Sequence, residues 1–133
     1  MLSFASSLSD NSDAFVVFVT DKYDYKDKNN ILSNELVRKI DLFLKSLKTK
    51  KKKEEINSFD ISEKKKCFVI KVKNKYENYY FEEIGGAFYT YVKKFKNINL
   101  IDIDADSLNE KKDKLIKYFS EFIFGFSLKS YTF

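Results

Sequence analysis

Histidine, proline and tryptophan are absent from this sequence, and Cys67 and Arg38 are the only residues of their kinds. Each shortage excludes something. Without histidine, the Ser-His-Asp and Cys-His nucleophile arrangements cannot be assembled, and zinc would have to be held by one thiolate and carboxylates. A single cysteine rules out an internal disulfide and fits a reducing compartment. With no proline and only three glycines, no flexible linker divides the chain, and no internal repeat is visible. The start, Met1 to Ser12, carries neither a basic n-region nor a long apolar run, so no signal peptide and no membrane span are expected, and the cytoplasm is the default location.

What is present describes a folded α/β protein. The 133 residues suffice for one domain with one core, residues 1–133, and the 44% hydrophobic and 34% charged residues can fill and clothe it. The formal charge of +5, from 25 Lys plus Arg against 20 Asp plus Glu, invites a nucleic-acid reading. Abundant Lys, Asn, Ile, Phe and Tyr are residues of A/T-rich codons, however, so much of the basicity follows genome composition. Arginine would also be the better bidentate partner of phosphate.

Along the chain, Leu2 to Ala5 is a short edge-strand candidate, and the valine-rich run Phe15 to Thr20 suits a central strand covered on both faces. Asp21 to Asn30 reads as a loop. Ser33 can cap a helix whose Leu36, Val37, Ile40, Phe43, Leu44 and Leu47 fall at helical spacing, with Arg38, Lys39, Asp41 and Lys45 outside. That helix runs into Lys48 to Lys53, a solvated connection rich in lysine. Glu54 to Ile61 and Cys67 to Val72 read as strands able to form a hairpin around Ser62 to Lys65.

The stretch from Tyr76 to Asp104 organises the rest. A helix with the stripe Phe81, Ile84, Ala87, Phe88, Tyr91, Val92 and Phe95 carries Gly85-Gly86 in its interior, where each glycine costs roughly 1 kcal/mol relative to alanine. Close approach of the helix backbone to the sheet is the expected compensation. A phosphate cradle would instead sit at a helix N-terminus. Ile98 to Ile103 returns to the sheet parallel to Cys67 to Val72. Ser107 and Glu110 fit a capping box, opening a last helix with Leu115, Phe119, Phe122, Ile123 and Phe126 inside. Ser127 to Phe133 is expected to leave that helix, and the chain stops as if cut.

Chemical constellations are thin. Asp102, Asp104, Asp106 and Asp113 approach calcium-loop spacing, but Ser107 stands where glycine is needed and Asp113 where glutamate is. Glu82 and Glu83 do not converge on one point as an acid/base pair would. Cys67 in an apolar strand reads as a buried inert thiol. Tyr23, Tyr25, Tyr76, Tyr79, Tyr80, Tyr89 and Tyr91 interleave with lysines, as stacking platforms for nucleic acid do. Protein-interface rims look the same. No catalytic, cofactor-binding or metal-ligating residue is assigned.

The order of pieces resembles the N-terminal domain of the leucyl (cytosol) aminopeptidase family. Ala14-Phe15-Val16-Val17-Phe18-Val19 is similar to that family's first central strand. Glu82-Glu83-Ile84-Gly85-Gly86-Ala87 is similar to its helix with small residues, and Ile98-Asn99-Leu100-Ile101-Asp102-Ile103 to the strand that follows. Gly125-Phe126-Ser127-Leu128-Lys129-Ser130-Tyr131 resembles the segment through which that domain hands over to the catalytic half. Lys73-Asn74-Lys75 replaces the family's usual Gly-Leu-Gly turn, and Thr132 replaces the basic residue after the final Tyr.

The resemblance implies an α/β fold of three layers, a mixed and mostly parallel sheet flanked by helices, like that of macro domains. It implies a non-catalytic domain of a metal-dependent exopeptidase, with a role in assembly or active-site access. The two divalent metals, zinc or manganese, and the catalytic lysine and arginine would belong to a C-terminal catalytic domain absent from these residues, in a hexameric hydrolase. No cofactor is expected in this chain and no membrane partner. Two other readings stay open: a DNA-binding module using a lysine-rich surface, and a macro-like nucleotide or ADP-ribose binder.

Overall fold

The structure, a computed structural model, describes residues 2–5, 13–27, 30–73, 77–95, 97–101 and 112–131. In chain order the elements are β1 (Leu2–Ala5), β2 (Ala14–Val19), α1 (Asn34–Thr49), β3 (Ile56–Ser62), β4 (Lys65–Lys71), α2 (Tyr80–Val92), β5 (Ile98–Ile101) and α3 (Lys112–Ser130). The fold is α/β, as the sequence leads one to expect.

All six residues of β2 are buried, which its valine and phenylalanine content permits only in the middle of a sheet covered on both faces. It pairs in parallel with β4 on one side, Phe15 opposite Cys67, and with β5 on the other, Ala14 opposite Ile98. Beyond β5 lies β1 at one edge, with Leu2 opposite Ile98 in a parallel register. The opposite edge is β3, the one antiparallel member of the five-stranded order β1-β5-β2-β4-β3.

The expected hairpin joins β3 to β4 with Ser62 opposite Lys65. Among the described residues the non-glycine residues of positive φ are Tyr23, Asn30 and Tyr79, so Glu63 and Lys64 do not form the left-handed loop that best matches strand twist. An irregularity of register between Asp60 and Ser62 accompanies this turn, the local bend a bulge supplies.

Strand alternation sends side chains to two separate cores. Phe15, Val17, Val19, Cys67 and Val69 meet α1 through Leu36, Ile40, Leu44 and Leu47. Ala14, Val16, Phe18, Phe68, Ile70, Ile98 and Leu100 meet α2 and α3. Burying each Phe, Ile or Leu contributes about 1.5–3 kcal/mol of transfer free energy. As expected, α1 is capped by Ser33, whose Oγ accepts from the Leu36 amide at 3.2 Å. Its Arg38, Asp41 and Lys45 point to solvent.

Three expectations about the helices need correction. First, the α2 stripe is narrower than its periodicity suggests: Phe81, Ile84, Phe88 and Val92 are buried, but Ala87 and Tyr91 are exposed, because Gly85 takes the inward position beside Ile84. Second, the glycines face a helix and not the sheet, as detailed below. Third, Ser127 to Ser130 stay helical in α3; Phe126 is buried and Ser130 Oγ donates back to the Ser127 carbonyl at 2.7 Å. Within α3, Leu115, Phe119, Phe122 and Phe126 are buried as expected, and Ile123 is half-buried. The capping box at Ser107 and Glu110, and Asp102, Asp104 and Asp106 of the calcium-like spacing, lie outside the described residues. No helix among the described residues is long and apolar enough to cross a membrane.

Candidate functional site

Helices α2 and α3 approach each other backbone to backbone at two glycines. A Cβ added to Gly85 would overlap the carbonyl oxygen of Phe122, and one added to Gly125 would overlap that of Glu82. The two contacts are reciprocal: each glycine sits three residues from the carbonyl that the other touches. In both, a Cα hydrogen points at a carbonyl oxygen, the arrangement of a weak Cα–H···O contact. Gly86 is different, since its nearest neighbour would be the Gly125 oxygen at 3.6 Å, an ordinary van der Waals distance.

Aromatic rings fill the space that this approach leaves on the sheet side. Phe88 meets Phe68 edge-on at 5.2 Å and Phe122 at 5.6 Å, while Phe18 meets Phe122 edge-on at 5.3 Å and Phe119 at 5.2 Å. Such tilted and edge-on geometries are the ones the ring quadrupole favours.

On the outward flank the two helices border a groove in two parts, both lined by Tyr79. One part, of about 350 Å³, is lined by Glu77, Asn78, Tyr79, Phe81, Lys117, Tyr118 and Glu121. Its floor is formed by Phe81 and Tyr118, stacked at 4.6 Å with 9° between their planes. The other part, shallower and about 440 Å³, is lined by Tyr79, Glu82, Glu83, Gly86, Gly125, Leu128 and Lys129. Tyr79 is the N-cap of α2 with φ 68°, makes no side-chain cap, and leaves its ring 68% exposed between the two parts. Glu82 and Glu83 compensate for the missing cap by placing negative charge in the first turn.

Glutamates gather along the groove, in a chain of net positive charge. Ion pairs among the described residues join Lys39 to Glu35, Lys48 to Asp24, Lys66 to Asp60 and Lys73 to Glu55. None of them uses Glu77, Glu82, Glu83 or Glu121. The outer face of α3 next to the groove is apolar as well: Ile116, Phe124, Leu128 and Tyr131 are all exposed.

Other residues singled out in the sequence have structural roles. Lys53 of the lysine run donates from Nζ to the carbonyls of Lys48 at 2.9 Å and Leu47 at 3.4 Å, ending α1, and lies 5.3 Å from the Tyr23 ring centre. Tyr23 is buried with φ 63° beneath Lys53 and Lys71, and burial raises its phenol pKa. Tyr25 donates to Asp41 Oδ1 at 3.3 Å; burial first, then the Asp41 carboxylate, pushes its pKa up. The Tyr80 hydroxyl accepts from the Lys73 amide at 3.1 Å and so pins the end of β4, and burial is the main cause of its raised pKa.

These tyrosines do not form one platform. Tyr23 and Tyr25 belong to the core against α1, whereas Tyr80 and Tyr89 belong to the core against α2 and α3. Cys67 is fully buried, and desolvation pushes its thiol far above the ordinary range. Among the described residues no three His, Cys, Asp or Glu side chains are grouped as metal ligands.

The groove itself was not found from sequence. Its signals are separate in the sequence, namely Gly125 in the last helix, the apolar residues at 124 and 128, and the glutamates at 77, 82, 83 and 121, and nothing local joins them. No family model matches the chain, and neither a curated protein nor a solved structure matches it.

Proposed function

We propose that this chain is the non-catalytic N-terminal domain of a leucyl aminopeptidase, a metal-dependent exopeptidase that releases N-terminal amino acids from peptides. On this reading the fold is a three-layer, macro-domain-like one, the protein works in the cytoplasm, and the domain shapes assembly or access to the active site. Catalysis and its two divalent metals belong to a C-terminal half and to a hexamer built with it.

The observation that carries the reading is the behaviour of α3. The segment resembling the family's hand-over signature, Gly125 to Tyr131, lies at the end of this helix. Gly125 seats it against α2, while Phe124, Leu128 and Tyr131 face outward. A helix apolar on both sides is one built to be covered twice. The mixed, mostly parallel sheet with helices against both faces agrees with the architecture that the resemblance implies.

Two measurements test the proposal. The reading frame continuing past Phe133 should encode a metallopeptidase half bearing lysine and aspartate ligands; any other continuation overturns the assignment. Incubated with leucyl-p-nitroanilide and manganese, this chain alone should give no turnover. Activity that co-purifies with it through successive columns would equally reject the reading.

A further inference from the structure

We propose that the α2–α3 groove is a docking site for a basic amphipathic segment of a partner protein, a helix presenting apolar anchors flanked by lysine or arginine. The inference stands on the groove alone and does not need the peptidase reading.

Charge complementarity selects the occupant. The chain carries net positive charge, yet among the described residues the lining of the two parts of the groove has four carboxylates, Glu77, Glu82, Glu83 and Glu121, against two ammonium groups, Lys117 and Lys129. No ion pair among the described residues neutralises the four glutamates, and since Asp21, Glu54 and Glu63 elsewhere are in none either, the selecting feature is the clustering of the four along one groove. Glu82 and Glu83 are in part accounted for by the N-terminus of α2. Glu77, ahead of the helix, and Glu121, in the middle of α3, have no such explanation.

Between these carboxylates lie the surfaces an apolar anchor or a cation can use. The exposed Tyr79 ring and the half-buried Tyr118 ring, backed by the buried Phe81 on which it stacks, offer aromatic surface to an ammonium or guanidinium group. Leu128, with Phe124 beside it on α3, offers aliphatic and aromatic surface to a hydrophobic anchor. From Lys117 to Leu128 the groove follows α3 for about 16 Å, three helical turns, which matches the spacing of anchors at i, i+4 and i+7.

Fluorescence anisotropy with the full chain tests this, using an 18-residue labelled helical peptide of leucine and lysine and its counterpart with glutamate at every lysine. The lysine peptide should bind about tenfold or more tighter than the glutamate peptide. Its affinity should fall as salt rises through the range where the Debye length drops below about 10 Å. Glu77→Gln combined with Glu121→Gln should weaken it about fivefold or more, whereas Glu35→Gln on α1 should leave it unchanged. Leu128→Ser should weaken binding without altering its salt dependence. Far-UV circular dichroism and melting temperature establish that each variant is folded. Equal affinity for the two peptides, no binding of the lysine peptide, or indifference to the groove variants would each overturn the proposal. So would sedimentation showing a dimer that Leu128→Ser abolishes, since the occupant would then be a second copy of this chain.

Discussion

The two faces of the sheet are covered by opposite means. On one side α1 lies on the sheet through a single stripe of Leu36, Ile40, Leu44 and Leu47, with charged residues outward and a serine cap at its start. On the other side α2 and α3 cover the sheet together, joined backbone to backbone at Gly85 and Gly125, and α3 turns a second apolar face away from the protein. The first side is fixed by side-chain burial, which tolerates small changes of volume. Contact between main chains fixes the second, and it tolerates almost none.

The sharpest way to break this contrast is to add one methyl group. Gly125→Ala or Gly85→Ala should lower stability by about 3 kcal/mol or more, because both obstructing atoms are backbone carbonyls that no rotamer change can move. Gly86→Ala, one residue away, should instead raise stability by up to about 1 kcal/mol, since its Cβ meets nothing closer than 3.6 Å and helix propensity favours alanine. Urea titration of the three variants gives the comparison directly. Equal losses at all three positions would remove the distinction between the two kinds of packing.

A second test acts on the α1 side through pH. The Cys67 thiol is buried there and its folded-state pKa is raised by desolvation. Its protonated form is retained in the fold while the unfolded chain ionises near pH 8.5, so stability is intact below that pH and declines above it. The loss should reach about 2 kcal/mol at pH 10 relative to pH 7. The raised phenols of Tyr23 and Tyr25 act in the same direction at still higher pH. Cys67→Ala should remove the thiol's part of the alkaline slope, as denaturant midpoints at the two pH values would reveal.

Smaller effects sharpen the comparison further. Ser33→Ala should cost about 1 kcal/mol through the lost cap of α1. Phe124→Ser on the outer face of α3 should change stability by less than about 0.5 kcal/mol despite deleting a large apolar side chain, because that ring is already 55% exposed. A large loss there, read from thermal unfolding, would mean that the outer face is packed within the chain.

How far the sequence could be read follows the same division. The α1 side was legible because its determinants are local: a serine ahead of a helical stripe, an apolar run for β2, and a short turn between β3 and β4. The α2–α3 side was legible in its elements but not in their contact. Gly85 announced a close approach, yet the object approached lies 37 positions later at Phe122, and nothing in the stripe of α2 distinguishes a helix from a sheet as its neighbour. Gly125 gave no warning either, since one glycine near the end of a helical pattern usually marks its end. The lysine run shows the converse failure: its composition suggests solvent, and only the fold brings Lys53 back onto the carbonyls that end α1.

The placement of β2 has a consequence for how the protein comes apart. Ala14, Val16 and Phe18 belong to one core while Phe15, Val17 and Val19 belong to the other, so six consecutive residues are the shared wall of both. Neither layer of helices can be stripped away without wetting the back of the other, and heat or denaturant should find a single all-or-none transition instead of two steps.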